Sequence, residues 1–165
     1  RQRRVRGRAG HPMTTADGTP LEVVEITAEA THALRLAVLR FDTPTKEVVF
    51  AEDDWPGVWH LGARLGGELV ATSSWVPREL DGRPGVQLRG MATARQLQGG
   101  GIGGVLVEAG CRIAAARGFT MVWARARDAA LAFYERHGFV VEGDGFVDDA
   151  TQLPHHLISR SIAVG

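Results

Sequence analysis

One cysteine, one lysine and one tyrosine stand in a chain of 165 residues, and each scarcity closes off a reading. Cys111 alone cannot form an internal disulfide, which excludes a disulfide-stapled secreted scaffold and favours a reducing, cytoplasmic setting. With no His or Asp beside it in sequence, it reads as a small packed side chain and not as a nucleophile. Lys46 is the only lysine, so no glycine-rich stretch is followed by the Lys-Ser or Lys-Thr of a P-loop. No apolar run is long enough to cross a membrane. There are no internal repeats, no heptads and no Cys/His spacing that suits a metal, so no metal site is expected.

Charge is scarce only in the sum. The chain carries 19 basic and 19 acidic residues, but five arginines fall within Arg1 to Gly10 and every acid follows Met13. The remainder holds 14 basic against 19 acidic residues, a net of −5. Residues 1–20 have no hydrophobic pattern to pack and no signal-peptide core, and are expected to form a disordered arginine-rich arm, within which Met13 is a candidate native start. A mildly acidic domain is not built to hold nucleic acid phosphates. Net charge alone would suit a cationic amine as substrate.

Residues 21–165 read as one domain with enough apolar residues for a core. Leu21–Ile26 alternates as a strand, and Ala28 to Arg40 shows the apolar spacing of a helix with Thr27 as its cap. Residues 41–57 are polar and rich in turn formers. Two alternating runs, from Trp59 and from Glu68, are joined by Gly66-Gly67, a hairpin signal. A strand Gly85 to Ala92 leads through a glycine-rich turn into a helix Gly104 to Arg117 closed by Gly118. Met121 to Arg125 is a buried strand, Asp128 caps a helix through His137, and Phe139–Glu142 and Leu157–Ile162 form the last strand pair around a Gly/Asp loop, 143–152. His155 and His156 fall on opposite faces of that final strand, read as a sheet edge. This order implies an α/β (α+β) mixed sheet with helices on both faces.

The chemistry concentrates in Gly99 to Gly104. A strand running into a glycine turn that opens a helix offers unpaired backbone N–H groups and the positive end of the helix dipole to one small volume, a seat for phosphate. Gly99-x-Gly101-x-x-Gly104 also matches the dinucleotide fingerprint. That motif requires the strand directly before the first glycine and an acid about 20 residues on; here Thr93 to Gln98 intervene and the strand from Met121 ends without a carboxylate.

Gln98-x-x-Gly101-x-Gly103, with Ala130-Leu-Ala-Phe-Tyr-Glu-Arg-His-Gly-Phe139 at the expected distance, resembles the GCN5-related N-acetyltransferase (GNAT) family over roughly Leu21 to Ile162. His60-Leu-Gly-Ala, Leu88-Arg-Gly-Met-Ala and Pro154-His155 resemble its ElaA-type members. The resemblance implies a mostly antiparallel sheet of six to seven strands with a splayed central pair, and transfer of the acetyl group of acetyl-CoA to a primary amine of a small molecule or peptide. Met91, Ala92 and Thr93 would then meet pantetheine, and Gln98, Gly99, Gly100, Gly101, Ile102, Gly103 and Gly104 the pyrophosphate. Phe133 and Arg127 complete the implied cofactor contacts, Arg127 replacing the asparagine common in the family and offering a fork to a CoA phosphate.

Tyr134 matches the family tyrosine that protonates the departing thiolate. The base is open among the acidic cluster Glu52, Asp53 and Asp54, with Glu52 and Asp54 the candidates. Two other readings stay open: an acyl-CoA sensor without catalysis, and a nicotinamide-binding oxidoreductase domain. A homodimer is left open as an expectation.

Overall fold

The computed structural model describes Thr15 and residues 18–163. Of the expected arm, residues 1–14, 16 and 17 lie outside the described residues. Seven strands follow: β1 (Leu21–Ile26), β2 (Trp59–Leu65), β3 (Glu68–Pro77), β4 (Val86–Thr93), β5 (Met121–Arg127), β6 (Val140–Val147) and β7 (Pro154–Ser161). They form one sheet in the spatial order β1-β2-β3-β4-β5-β7-β6. Every neighbouring pair is antiparallel except β4 and β5. A sheet with a single parallel pair is not the parallel dinucleotide-binding fold; the mixed, mostly antiparallel sheet expected from the sequence is the one observed.

The helices are unequal. α1 (His32–Leu34) is one turn, set between a 3-10 turn at Glu29–Thr31 and a π-helical turn at Arg35–Leu39. Thr27 accepts from the Ala30 N–H at 3.3 Å, the expected cap. α2 (Ile102–Ala116) is the long helix that carries the chain from β4 across to β5. α3 (Leu131–Arg136) follows a 3-10 turn at Asp128–Ala130.

Adjacent residues of β3 show that these helices cover opposite faces, since successive side chains on a strand point apart. Ser74 bonds Arg35 on the α1 side. Trp75 meets α2, where a Cβ built on Gly110 would stand 1.8 Å from the indole Cζ2. The Trp75 ring is fully buried, stacks on Trp59 with centroids 6.1 Å apart and donates Nε1–H to Ser73 at 2.8 Å. The core closes around it with Leu61, Leu106, Val122 and Ile158.

Local readings hold where a turn has a strict backbone demand. Gly66 and Gly67 take φ of 57° and 87°, which sets the β2–β3 hairpin, and Gly118 at 90° ends α2. Four readings fail. α2 starts at Ile102 and not at Gly104, because Gly101 adopts the left-handed conformation at its N-cap. Asp128 makes no cap hydrogen bond; its carboxylate faces His156 Nδ1 at 2.6 Å. The Gly/Asp loop is shorter than expected, since β6 continues to Val147 through a bulge between Glu142 and Phe146. β6 is the edge strand, and β7 lies inside the sheet between β5 and β6.

Gly110→Ala sets two effects against each other. Alanine favours an exposed helix by about 1 kcal/mol, but overpacking a filled core costs about 1–3 kcal/mol. The Trp75 ring, bonded and stacked, has nowhere to move, so overpacking wins. With the 1.8 Å approach putting the cost at the top of that range, the expected result is a net loss of about 2 kcal/mol and a Tm lower by roughly 4–8 °C in thermal denaturation.

Candidate active site

β4 and β5 pair at only two positions, Val86 with Val122 and Gln87 with Trp123. Beyond them β4 stays with β3 to Thr93 and β5 stays with β7 to Arg127, so the two strands part and a gap opens within the sheet. A bulge in β4 bends it away: from Arg89 to Ala92 three steps oppose the two from Ser74 to Thr72. Gly90 sits in that bulge at φ 60°, and a Cβ there would stand 3.1 Å from Arg35 Nε and 3.2 Å from the Phe50 ring. Only glycine combines that conformation with so close an approach.

Two cavities meet across the gap. The larger, about 820 Å³, lies along the glycine turn. Met91, Thr93, Gln98, Gly99, Gly101, Ile102, Gly103, Gly104 and Phe133 line it. Ala92 is buried and, like Gly100, does not line it. Gly99 and Gly101 have φ of 84° and 89°, with no atom within 4 Å of a built Cβ. The first bond inside α2 runs from Val105 N–H to Gly101 O at 3.1 Å. The N–H groups of Ile102, Gly103 and Gly104 therefore lack helical acceptors and sit at the positive end of the dipole. Gln98 donates from Nε2 to the Thr93 carbonyl at 3.0 Å, tying the turn to the end of β4. Gly104 admits the His137 ring, which a Cβ would meet at 2.6 Å. Glu108 is the acid on this wall, and its hydrogen bond from Arg160 at 2.8 Å holds its carboxyl below the usual range.

The smaller cavity, about 230 Å³, lies on the side of α1 and the 41–57 segment. Its wall includes Arg40, Phe50, Arg89, Arg127, Asp148 and His155. Arg127 therefore faces this cavity and not the glycine turn, donating to the Leu39 carbonyl and lying 3.5 Å from Asp42. His155 is buried, with Nδ1 2.9 Å from the Leu153 carbonyl.

Met91, Ala130 and Tyr134 line both cavities. Tyr134 is 7% exposed, held edge-on between Phe133 and Phe139 with centroids 5.0 and 5.4 Å away. Its hydroxyl has no hydrogen-bond partner among the described residues, and burial pushes its pKa above the ordinary tyrosine value. It is a neutral donor at the one place where the two cavities join.

Below the bulge lies a buried polar cluster. Arg35, with no exposed surface, donates to both Asp53 oxygens at 2.8 and 2.9 Å, to Ser74 Oγ at 2.8 Å and to the Val48 carbonyl at 2.7 Å. Burial opposes ionisation of Asp53, but the bonds from Arg35 and from the Phe50 N–H at 3.0 Å outweigh it and hold its carboxyl below the usual range. His60 Nδ1 lies 2.6 Å from Ser74 Oγ, and burial lowers its pKa so that the ring is neutral near pH 7. Glu52 lies between Arg89 at 2.6 Å and Arg78 at 3.1 Å, while Asp54 is exposed; neither lines a cavity. Cys111 is buried, and desolvation raises its thiol to about 11, leaving it inert. Among the described residues no cluster of His, Cys, Asp and Glu could hold a metal, and no helix is long and apolar enough to cross a membrane.

Sequence reasoning missed Arg35, Arg40 and Arg89. The one available signal was an arginine set between apolar neighbours in Ala33-Leu-Arg-Leu-Ala37; the π-helical turn then brings Arg35 inward while Leu36 is left 47% exposed.

Comparison with known proteins agrees with this architecture. The model of the Acetyltransferase (GNAT) family matches residues 24–139. A Bacillus subtilis protein, the uncharacterized N-acetyltransferase YitI, is 28% identical over 141 residues, covering 84% of this chain and 93% of that one. Among solved structures, Escherichia coli ElaA superposes with a TM-score of 0.71 at 19% identity, covering 85% of this chain and 99% of its own. An acyl-CoA N-acyltransferase from Pseudomonas aeruginosa gives the same TM-score at 24% identity, with coverage of 85% and 99%. The chain belongs to the GNAT family of acetyltransferases and is an acyl-CoA-dependent N-acyltransferase.

Removing one member of the buried ion pair leaves an uncompensated charge, at a cost of about 3–5 kcal/mol. Arg35→Leu should therefore lower Tm by roughly 10 °C in calorimetry, on the order of 2–4 °C per kcal/mol. Because the Asp53 pKa is depressed in the folded state, its contribution is present above the unfolded carboxylate value and is lost as pH falls through the folded one. The gap between wild type and variant should accordingly narrow in strong acid.

Proposed function

We propose that acetyl-CoA is the acyl donor, that a primary amine of a small molecule or peptide is the acceptor, and that Tyr134 is the proton donor. The single observation that carries this reading is the unpartnered Tyr134 hydroxyl at the junction of the two cavities. The larger cavity takes the donor. Its glycine turn offers the pyrophosphate the free amides of Ile102, Gly103 and Gly104, and the parted edges of β4 and β5 offer main-chain partners to the pantetheine arm. The thioester then comes to the meeting point beside Tyr134. The smaller cavity delivers the amine from the other side.

The nitrogen lone pair attacks the thioester carbonyl, the C–N bond forms and the C–S bond breaks. The departing sulfur takes the Tyr134 proton, and the proton lost from nitrogen restores the tyrosine through water. The products are an N-acetylated amine and free CoA thiol, with atoms and charge balanced. Burial suits Tyr134 to this task, since a phenol with a raised pKa keeps its proton to the moment of transfer. Glu52, held by two guanidinium groups, and exposed Asp54 are poor proton acceptors in this geometry. The amine enters as its neutral form.

Tyr134→Phe removes the proton and little else. Turnover, followed by thiol release, should fall on the order of 100-fold, while the KM for acetyl-CoA stays within about three-fold. In the wild type, kcat should hold through pH 10, where an ordinary tyrosine with a pKa of about 10 is half ionised. A variant with wild-type turnover would remove Tyr134 from the reaction.

A further inference from the structure

The wall of the smaller cavity carries an excess of positive charge. Arg40, Arg89, Arg125 and Arg127 all line it, against the single carboxylate of Asp148. That carboxylate is already engaged. It accepts from Arg125 at 3.0 Å, from the N–H groups of Ala150 and Thr151 at 3.1 Å each, and from Thr151 Oγ1 at 3.3 Å. Glu52 answers Arg89 at 2.6 Å, and Asp42 stands 3.5 Å from Arg127.

Arg40 is different. It is 8% exposed, yet no carboxylate lies within ion-pair distance of it among the described residues. Nε donates to the Glu47 carbonyl at 2.8 Å, the residue lines the cavity, and its two terminal nitrogens have no hydrogen-bond partner among the described residues. Burial lowers its pKa, and the positive charges of Arg127, Arg89 and Arg35 lower it further, with the Asp148 carboxylate opposing them only in part. A planar fork of donors, largely buried and crowded by like charge, is held in the wall of the cavity that Tyr134 also lines. A bidentate oxyanion is what the geometry of this fork fits.

We infer that the acceptor is a small amine that also carries an acidic group, carboxylate or phosphate, and that Arg40 binds this group so that the amine nitrogen points at Tyr134. This deepens and rests on the amine-acetylation reading above. A polycation such as a polyamine meets four guanidinium groups in this wall and is repelled. A volume of about 230 Å³ is below the ~300–1,000 Å³ of sites for drug-sized ligands, which fits a molecule of amino-acid size. Phe50, under the guanidinium of Arg89 at 4.5 Å and near that of Arg40 at 5.5 Å, keeps the cations ordered from below.

The test is a matched acceptor panel with acetyl-CoA and thiol release: glycine, L-leucine and 4-aminobutyrate, each beside its carboxamide, with O-phosphoethanolamine and spermidine. In the wild type at least one anionic acceptor should exceed its uncharged counterpart in kcat/KM on the order of 10- to 100-fold, as loss of a charge-assisted hydrogen bond predicts. Arg40→Gln should abolish that preference by raising the acceptor KM, and Arg40→Lys, which keeps the charge without the fork, should restore part of it. Phosphoethanolamine outrunning the carboxylates would support the proposal with phosphate as the acidic group. Carboxamides or spermidine matching the anionic acceptors, or a preference surviving in Arg40→Gln, would overturn it. If no amine is acetylated, the transfer reading has failed separately, and calorimetry decides the anion site. N-acetyl-L-leucine should bind the CoA-loaded protein at least 10-fold more tightly than N-acetyl-L-leucinamide, and equal affinity would overturn the proposal.

Discussion

A parallel strand pair that stops after two residues governs the rest of the molecule. Backbone N–H and C=O groups inside a sheet are ordinarily paired, because leaving them dry and unbonded is expensive. Here β4 and β5 are each secured on their outer side, by β3 and β7, so the gap between them persists without unravelling either strand. The bulge at Gly90 bends β4, the buried Arg35 guanidinium packs against that bend, and Asp53 neutralises it. An ion pair almost closed to solvent thus helps set the shape of a groove more than 30 residues away in sequence.

Features with strict local demands were legible in the sequence. The hairpin at Gly66-Gly67 and the glycine turn before α2 both depend on positive φ, which restricts residue choice at the position itself. The helix end at Gly138, with φ of 81°, was legible in the same way, whereas Tyr134 stood out only because Ala130 to Phe139 resembles the family pattern. What was not legible depended on partners distant in the chain. Nothing in Gly143 to Val147 announces that it will pair past a bulge with β7, and a Gly/Asp run looks the same in a loop. Asp128 has the composition of a cap but found His156 instead, because β7 passes close by in space.

Charge shows the same limit. Beyond Met13 the chain is acidic, which suggested a cationic acceptor, yet the cavity beside Tyr134 is lined by arginines. The acids lie largely elsewhere or are already committed, as Glu52 and Asp148 are. Net charge describes the field far from a protein; a ligand within a few ångströms of Arg40 meets the groups that strand register and loop packing have turned inward.

Only Met91, Ala130 and Tyr134 belong to both cavity walls. On the proposed reading, donor handling and acceptor choice are therefore almost separate inheritances within one fold. Changes in the 39–50 and 148–155 segments can redraw the smaller wall while the glycine turn and α2 go on undisturbed, so under the proposed division of labour a lineage built on this scaffold is free to explore new amines one loop substitution at a time without first losing its grip on the nucleotide.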